Sequence, residues 1–144
     1  MLAWAVVADL CLQFYYAAYG AFAAFGSGAS AGAGFGGHSA NANVVFVLML
    51  AALVVAIIAA ATRGGVGWAR VIGHVALPVL VVVQIVLFII GEAFGASEQN
   101  PLPALLGLHG LNGVAMLILS LWLGVGAFRL LRTGSASRDA LLRA

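Results

Sequence analysis

Residues 44–62 read VVFVLMLAALVVAIIAAAT, an apolar run without a charge, closed on its C-terminal side by Arg63. At 1.5 Å per residue a helix of this length advances about 28 Å. That is close to the roughly 30 Å of hydrocarbon in a bilayer. Such a helix has no polar face to turn toward water, so it belongs inside a membrane or a large core. With 144 residues, 65% of them apolar and 7% charged, the chain lacks the polar surface to coat a soluble core. The stretch therefore predicts a transmembrane span, and the rest of the sequence is read outward from it.

Toward the N-terminus, His38, Ser39, Asn41 and Asn43 lead into the run, giving a helix over about 38–62. Before them, Gly26 to Gly37 is almost wholly Gly, Ala and Ser, a flexible connection. Its glycines have neither the Walker spacing nor flanking strands, which excludes a phosphate-binding loop. The first apolar run, Leu2 to Phe25, lacks a basic leading segment, is too long for a signal-peptide core and contains Asp9 and Gln13. It is read as an uncleaved span, with Tyr15, Tyr16, Tyr19 and Phe22 gathered toward its C-terminal, interfacial end.

Toward the C-terminus, the short connection Arg63 to Arg70, with Gly64, Gly65 and Gly67, folds the chain back into a third run ending at Gly91. That run, a helix over about 70–91, carries His74, Pro78 and Gln84, and the proline predicts a kink. Asn100 followed by Pro101 is a helix opening. The fourth helix is expected over about 101–128, and 129–144 is read as a basic tail with one or two interfacial turns near Leu141 and Leu142.

The expected fold is thus an all-α integral membrane four-helix bundle, a single domain over 1–128. Lysine is absent, and all six arginines fall in the second connection and the tail, whereas Glu92 and Glu98 lie in the third. The positive-inside rule then puts both termini in the cytoplasm of a multi-pass inner-membrane protein. The basic balance marks membrane flanks, with no nucleic-acid surface. The lone Cys11 permits no internal disulfide and reads as a small buried hydrophobe.

Polar side chains inside the spans carry the functional argument, since each needs a partner or a ligand. The stretch Leu108, His109, Gly110, Leu111, Asn112, Gly113 sets an imidazole and a carboxamide one turn apart in an apolar wall. Counted from the flanking arginines, His109 lies about 30 Å and His38 about 37 Å from the cytoplasmic edge. They are expected to face one another near the outer face. His74 lies only about 6 Å from that edge. Asp9 and Gln13, four residues apart, share a face, and with His74 and Gln84 they make a candidate inner polar cluster in which Asp9 meets His74.

The order Leu12, Gln13, Phe14 with Ala18, Gly20 and Phe22, then His38, Gln84, and Leu108, His109, Asn112, Gly113, is similar to an uncharacterised family of small bacterial four-helix membrane proteins. That resemblance covers roughly residues 10–128 and rests on the two histidines and the Asn112, Gly113 pair. It implies four spans and no established activity. Family members tend to carry a glycine soon after the first histidine, where this chain has Asn41, Ala42 and Asn43.

Three readings fit this pattern. The sharpest is a b-type haem held between His38 and His109 for electron transfer, with Asn112 orienting His109 and Gly107, Gly110 and Gly113 giving a macrocycle room. The second is an accessory subunit of a larger respiratory or transport complex, or a homo-oligomer, its small residues serving helix packing. The third is a proton or solute path through Asp9 and His74. A lone Zn or Cu ion on His38 and His109 falls short of the usual three or four ligands. Ordinary enzyme chemistry has no nucleophile with a base, no paired carboxylates in one segment and no multi-cysteine signature to rest on.

Overall fold

A computed structural model of the chain describes residues 2–27, 34–62, 67–95 and 102–142. It contains four helices: α1 (Leu2–Ser27), α2 (Gly36–Ala61), α3 (Trp68–Ala93) and α4 (Pro103–Leu142). Each holds a stretch of 22 to 30 residues long and apolar enough to cross a membrane. The all-helical, four-span-length architecture expected from the sequence is therefore the one found.

The helix ends differ from the expected ones for local reasons. α4 runs on to Leu142, through the segment read as a separate tail. No proline stands between Arg129 and Leu142, and the single Gly134 costs a helix only about 1 kcal/mol relative to Ala. α3 continues through Pro78 to Ala93. Residues Gly64, Gly65, Asn100 and Pro101, on which the turn and helix-opening expectations rest, lie outside the described residues. α4 opens at Pro103, whose ring presets a helical φ and whose missing N–H has no partner to lose there.

Successive helices run antiparallel, and each packs on its two neighbours around a square: α1 on α2, α2 on α3, α3 on α4, and α4 back on α1. Among the described residues the backbones of diagonal helices do not meet. One end of the square, the near end, carries Leu2, Ala61, Trp68 and Arg132; the far end carries Ser27, Gly36, Ala93 and Pro103. The core is a column of Val6, Leu10, Val45, Met49, Leu77 and Met116, extended by Ala52 and Leu123. Outside this column the surface is also apolar, with Val47, Trp68, Ile72, Leu111 and Ile118 all exposed. Cys11 points outward as well, which corrects its reading as a buried hydrophobe. Its helix turns Val6 and Leu10 inward, and Cys11, about 100° round the helix from Leu10, falls on the flank of that face.

Met49 is wholly buried at the centre of the column. Truncating a buried Met to Ala costs 2–5 kcal/mol in water-soluble cores, from lost transfer free energy and lost packing. Between apolar helices in lipid or detergent mainly the packing part remains. Met49→Ala is expected to cost about 2 kcal/mol, read as a lowered Tm in detergent. Val47→Ala, on the exposed surface of the same helix, is expected to leave Tm unchanged.

Candidate functional site

The site is set up by how α1 and α2 pair. A Cβ built on Gly20 would sit 2.8 Å from the Gly34 carbonyl oxygen, so the two chains cross there with no room for a side chain. α1 continues seven residues beyond that crossing to Ser27. The overshoot brings Gln13 of α1 level with His38, in the first turn of α2. The Gln13 carboxamide nitrogen donates to the His38 carbonyl at 3.0 Å and lies 3.3 Å from His38 Nε2. His38 Nδ1 lies 3.3 Å from the Gln13 carbonyl oxygen. With Nδ1 carrying the proton, that contact is a hydrogen bond and Nε2 is a bare acceptor facing the amide. One turn on, Asn41 Nδ2 donates to Gln13 Oε1 at 2.9 Å and to the Asp9 carbonyl at 3.3 Å.

The other two helices repeat this arrangement. Gln84 Nε2 of α3 donates to the His109 carbonyl of α4 at 3.0 Å. Asn112 Nδ2 donates to the Leu80 carbonyl at 2.8 Å. Asn112 thereby fastens α4 to α3 and does not bond the His109 ring, the role the sequence suggested for it.

His38 and His109 stand on diagonally opposite helices, and their rings meet inside the square with centroids 6.0 Å apart and planes tilted by 56°. Phe88 packs edge-on against His109 at 5.0 Å, and Phe35 against His38 at 6.2 Å. Three buried side-chain atoms in this layer have no hydrogen-bond partner: His109 Nδ1, Gln84 Oε1 and Asp9 Oδ2. A buried polar atom left alone costs free energy in an apolar setting, so these atoms mark where a further donor or ligand would be gained.

The candidate inner cluster does not form as one group. Gln13 and Gln84 belong to the far-end layer, on His38 and His109, and the Asp9 carbonyl is bonded to Asn41. His74 sits buried nearer the other end and gives its Nδ1 to the Arg70 carbonyl of its own helix at 2.7 Å. Around it lie Ala3, Val6, Ala52, Leu77, Ser120 and Leu123. No hydrogen bond or ion pair joins Asp9 to His74 among the described residues.

The glycines of α4 divide. Gly113 is where the Phe14 ring of α1 rests, since a Cβ there would meet Phe14 Cζ at 3.3 Å. Gly107 and Gly110 face open space, with no protein atom for an added Cβ to meet. Asn41 has a part the sequence does not disclose: it bonds Gln13 and the Asp9 carbonyl across to α1. Among the described residues no group of three or more His, Cys, Asp or Glu side chains is placed to hold a metal ion. A groove of about 390 Å³ also opens at the far end, lined by Tyr15, Tyr16, Tyr19, Gly34, Gly36 and Gly37. No family model matches the chain, and no curated protein or solved structure shows significant similarity to it.

Proposed function

We propose that the chain is a multi-pass protein of a bacterial inner membrane, both termini cytoplasmic, that holds a b-type haem between His38 and His109 and passes electrons. Insertion is supported by four apolar helices with an apolar outer surface. Orientation is supported by Arg70, Arg129 and Arg132 toward the near end and by Glu92 in the last turn of α3 at the far end.

The observation that carries the haem reading is the meeting of the two imidazoles at 6.0 Å across the diagonal. Two imidazole nitrogens bound to one ion at about 2.0–2.1 Å each put their ring centres about 6 Å apart. The donor set fits as well. His38 Nδ1 lies 3.3 Å from a backbone carbonyl, the usual way of orienting a ligating histidine, and its Nε2, which faces the Gln13 amide at 3.3 Å, would exchange that contact for the ligand. His109 has a buried Nδ1 without a partner. Haem ligated by two neutral imidazoles supplies reversible one-electron transfer. The residues of this chain do the rest: Gln13 and Gln84 fix the backbone carrying each histidine, Asn41 and Asn112 tie the neighbouring turns, and apolar helices exclude water from the site.

A second reading draws on the same layer. Gln13, His38 and Asn41 satisfy one another closely, as a purely structural pin in an accessory subunit would. A path through Asp9 and His74 gains no such support, since no described bond connects them.

The test is an absorption spectrum of the detergent-purified protein from haem-replete cells, before and after dithionite. The expected result is a Soret band with sharp reduced α and β bands. A featureless spectrum overturns the haem reading, and co-purification with a larger membrane complex then supports the structural one.

A further inference from the structure

The Gln–His–Asn sets of the two halves stand at one fixed offset in the chain. Gln84 lies 71 positions after Gln13, His109 71 after His38, and Asn112 71 after Asn41. Gly20 with Gly91 and Gly36 with Gly107 keep the same offset. The bonds repeat with the residues. Each glutamine amide reaches the carbonyl of the histidine 25 positions on, at 3.0 Å in both halves. Each asparagine amide reaches back 32 positions, to the Asp9 carbonyl in one half and to the Leu80 carbonyl in the other.

Burial repeats too, where the side chains themselves do not. Val6 and Leu77, Val45 and Met116, Met49 and Ser120, and Ala52 and Leu123 are all buried, and each pair is 71 apart. Two of these pairs set a large side chain against a small one, Met49 with Ser120 and Leu123 with Ala52. That is how two copies of one face divide the space along a shared axis. A chance recurrence of polar letters has no reason to reproduce bonds, distances and burial together.

We infer that the helix pairs α1–α2 and α3–α4, in the described residues of 2–62 and 73–133, are two copies of one helical pair, related by a two-fold axis along the bundle. The site on that axis is built of two half-sites, Gln13–His38–Asn41 and Gln84–His109–Asn112, which grip opposite faces of one ligand. α1 and α3 run in the same direction, as do α2 and α4, so the axis is parallel to the helices and passes between the histidine rings. A ligand on such an axis meets equivalent groups from both sides. This selects a flat, metal-centred macrocycle with two like faces over a solute with a distinct head and tail. The ligand part of the inference rests on the haem reading above; the two copies do not.

The experiment titrates the detergent-purified full chain, stripped of cofactor, with haemin. The wild type is expected to give a six-coordinate low-spin spectrum. His38→Ala and His109→Ala are each expected to give the same five-coordinate high-spin product, returned to six-coordinate by excess imidazole. Gln13→Leu and Gln84→Leu are expected to keep the six-coordinate spectrum and weaken haemin binding about 10- to 100-fold, as loss of an orienting partner does. If one histidine variant keeps the wild-type spectrum, the two half-sites are not equivalent and the inference is overturned while haem binding stands. If the wild type takes up no haemin, the haem reading falls, and the duplication is decided on the protein without ligand. Asn41→Leu and Asn112→Leu then both lower Tm if the halves are copies, and a loss confined to one overturns the duplication.

Discussion

A Gln13→Leu chain is expected to be the least stable of the single substitutions in the histidine layer, with a loss of about 2–3 kcal/mol. Gln13 is the hub of its half-site. Its amide nitrogen serves the His38 carbonyl and faces His38 Nε2, and its oxygen takes the Asn41 amide. Leucine matches its bulk but leaves those groups without that partner in an apolar interior. Each orphaned buried group costs about 1–3 kcal/mol in water-soluble proteins. Measured interhelical hydrogen bonds in membranes average about 0.6 kcal/mol, because the unfolded state in lipid finds other partners. Gln84→Leu removes one bond, to the His109 carbonyl, together with an oxygen that already lacks a partner. Its loss is therefore expected to be about 1 kcal/mol or less. Thermal unfolding of the two variants in the same detergent reads the difference. Equal losses would show that the extra Gln13 contacts contribute nothing.

The difference between those glutamines also shows what the sequence discloses and what it hides. Four apolar runs of span length are plain in the letters, because a helix in lipid must be apolar all round. The sequence also puts His38 and His109 toward a common level, since Arg63 after α2 and Arg129 within α4 close their apolar runs and give a ruler for counting back. α1 has no such ruler. No arginine flanks Leu2–Ser27, and α1 overshoots the crossing at Gly20. The face that Asp9 and Gln13 share therefore groups Gln13 with His74 in the sequence, whereas in the structure it bonds His38. The bonds of Asn41 are hidden because an amide in the first turns of a helix resembles solvated approach sequence until its partner on α1 is known. The 71-residue offset was in the sequence all along. It is carried by few polar and glycine positions among apolar residues that substitute freely for one another, so similarity of letters is faint where similarity of bonds is clear. The C-terminal end of α4 departs from expectation for a simpler reason, that loss of hydrophobicity after Phe128 ends an apolar run but does not end a helix.

Gly20→Leu is expected to have the largest effect of any substitution outside the polar layer. A Cβ at this position would stand 2.8 Å from the Gly34 carbonyl oxygen and 2.8 Å from the Phe35 ring. The first of these is backbone, which cannot rotate out of the way. Alanine already forces the two chains apart, and leucine adds three more carbons with nowhere to go. Overpacking of this kind costs about 3 kcal/mol or more. The displacement acts on the start of α2, four residues from His38, so it also pulls the His38 backbone from the Gln13 amide. Two losses are expected together: a fall in Tm and a fall in haemin affinity with the six-coordinate spectrum weakened. Gly107→Ala and Gly110→Ala are the controls. An added Cβ at either meets no protein atom, and alanine favours a helix over glycine by roughly 0.8–1.0 kcal/mol. Both are expected to leave stability unchanged or slightly raised. Should Gly107→Ala and Gly110→Ala keep Tm yet abolish haemin uptake, the open space beside them is where the macrocycle edge lies. Should Gly20→Leu keep both Tm and affinity, the close crossing of α1 and α2 is not what holds Gln13 level with His38.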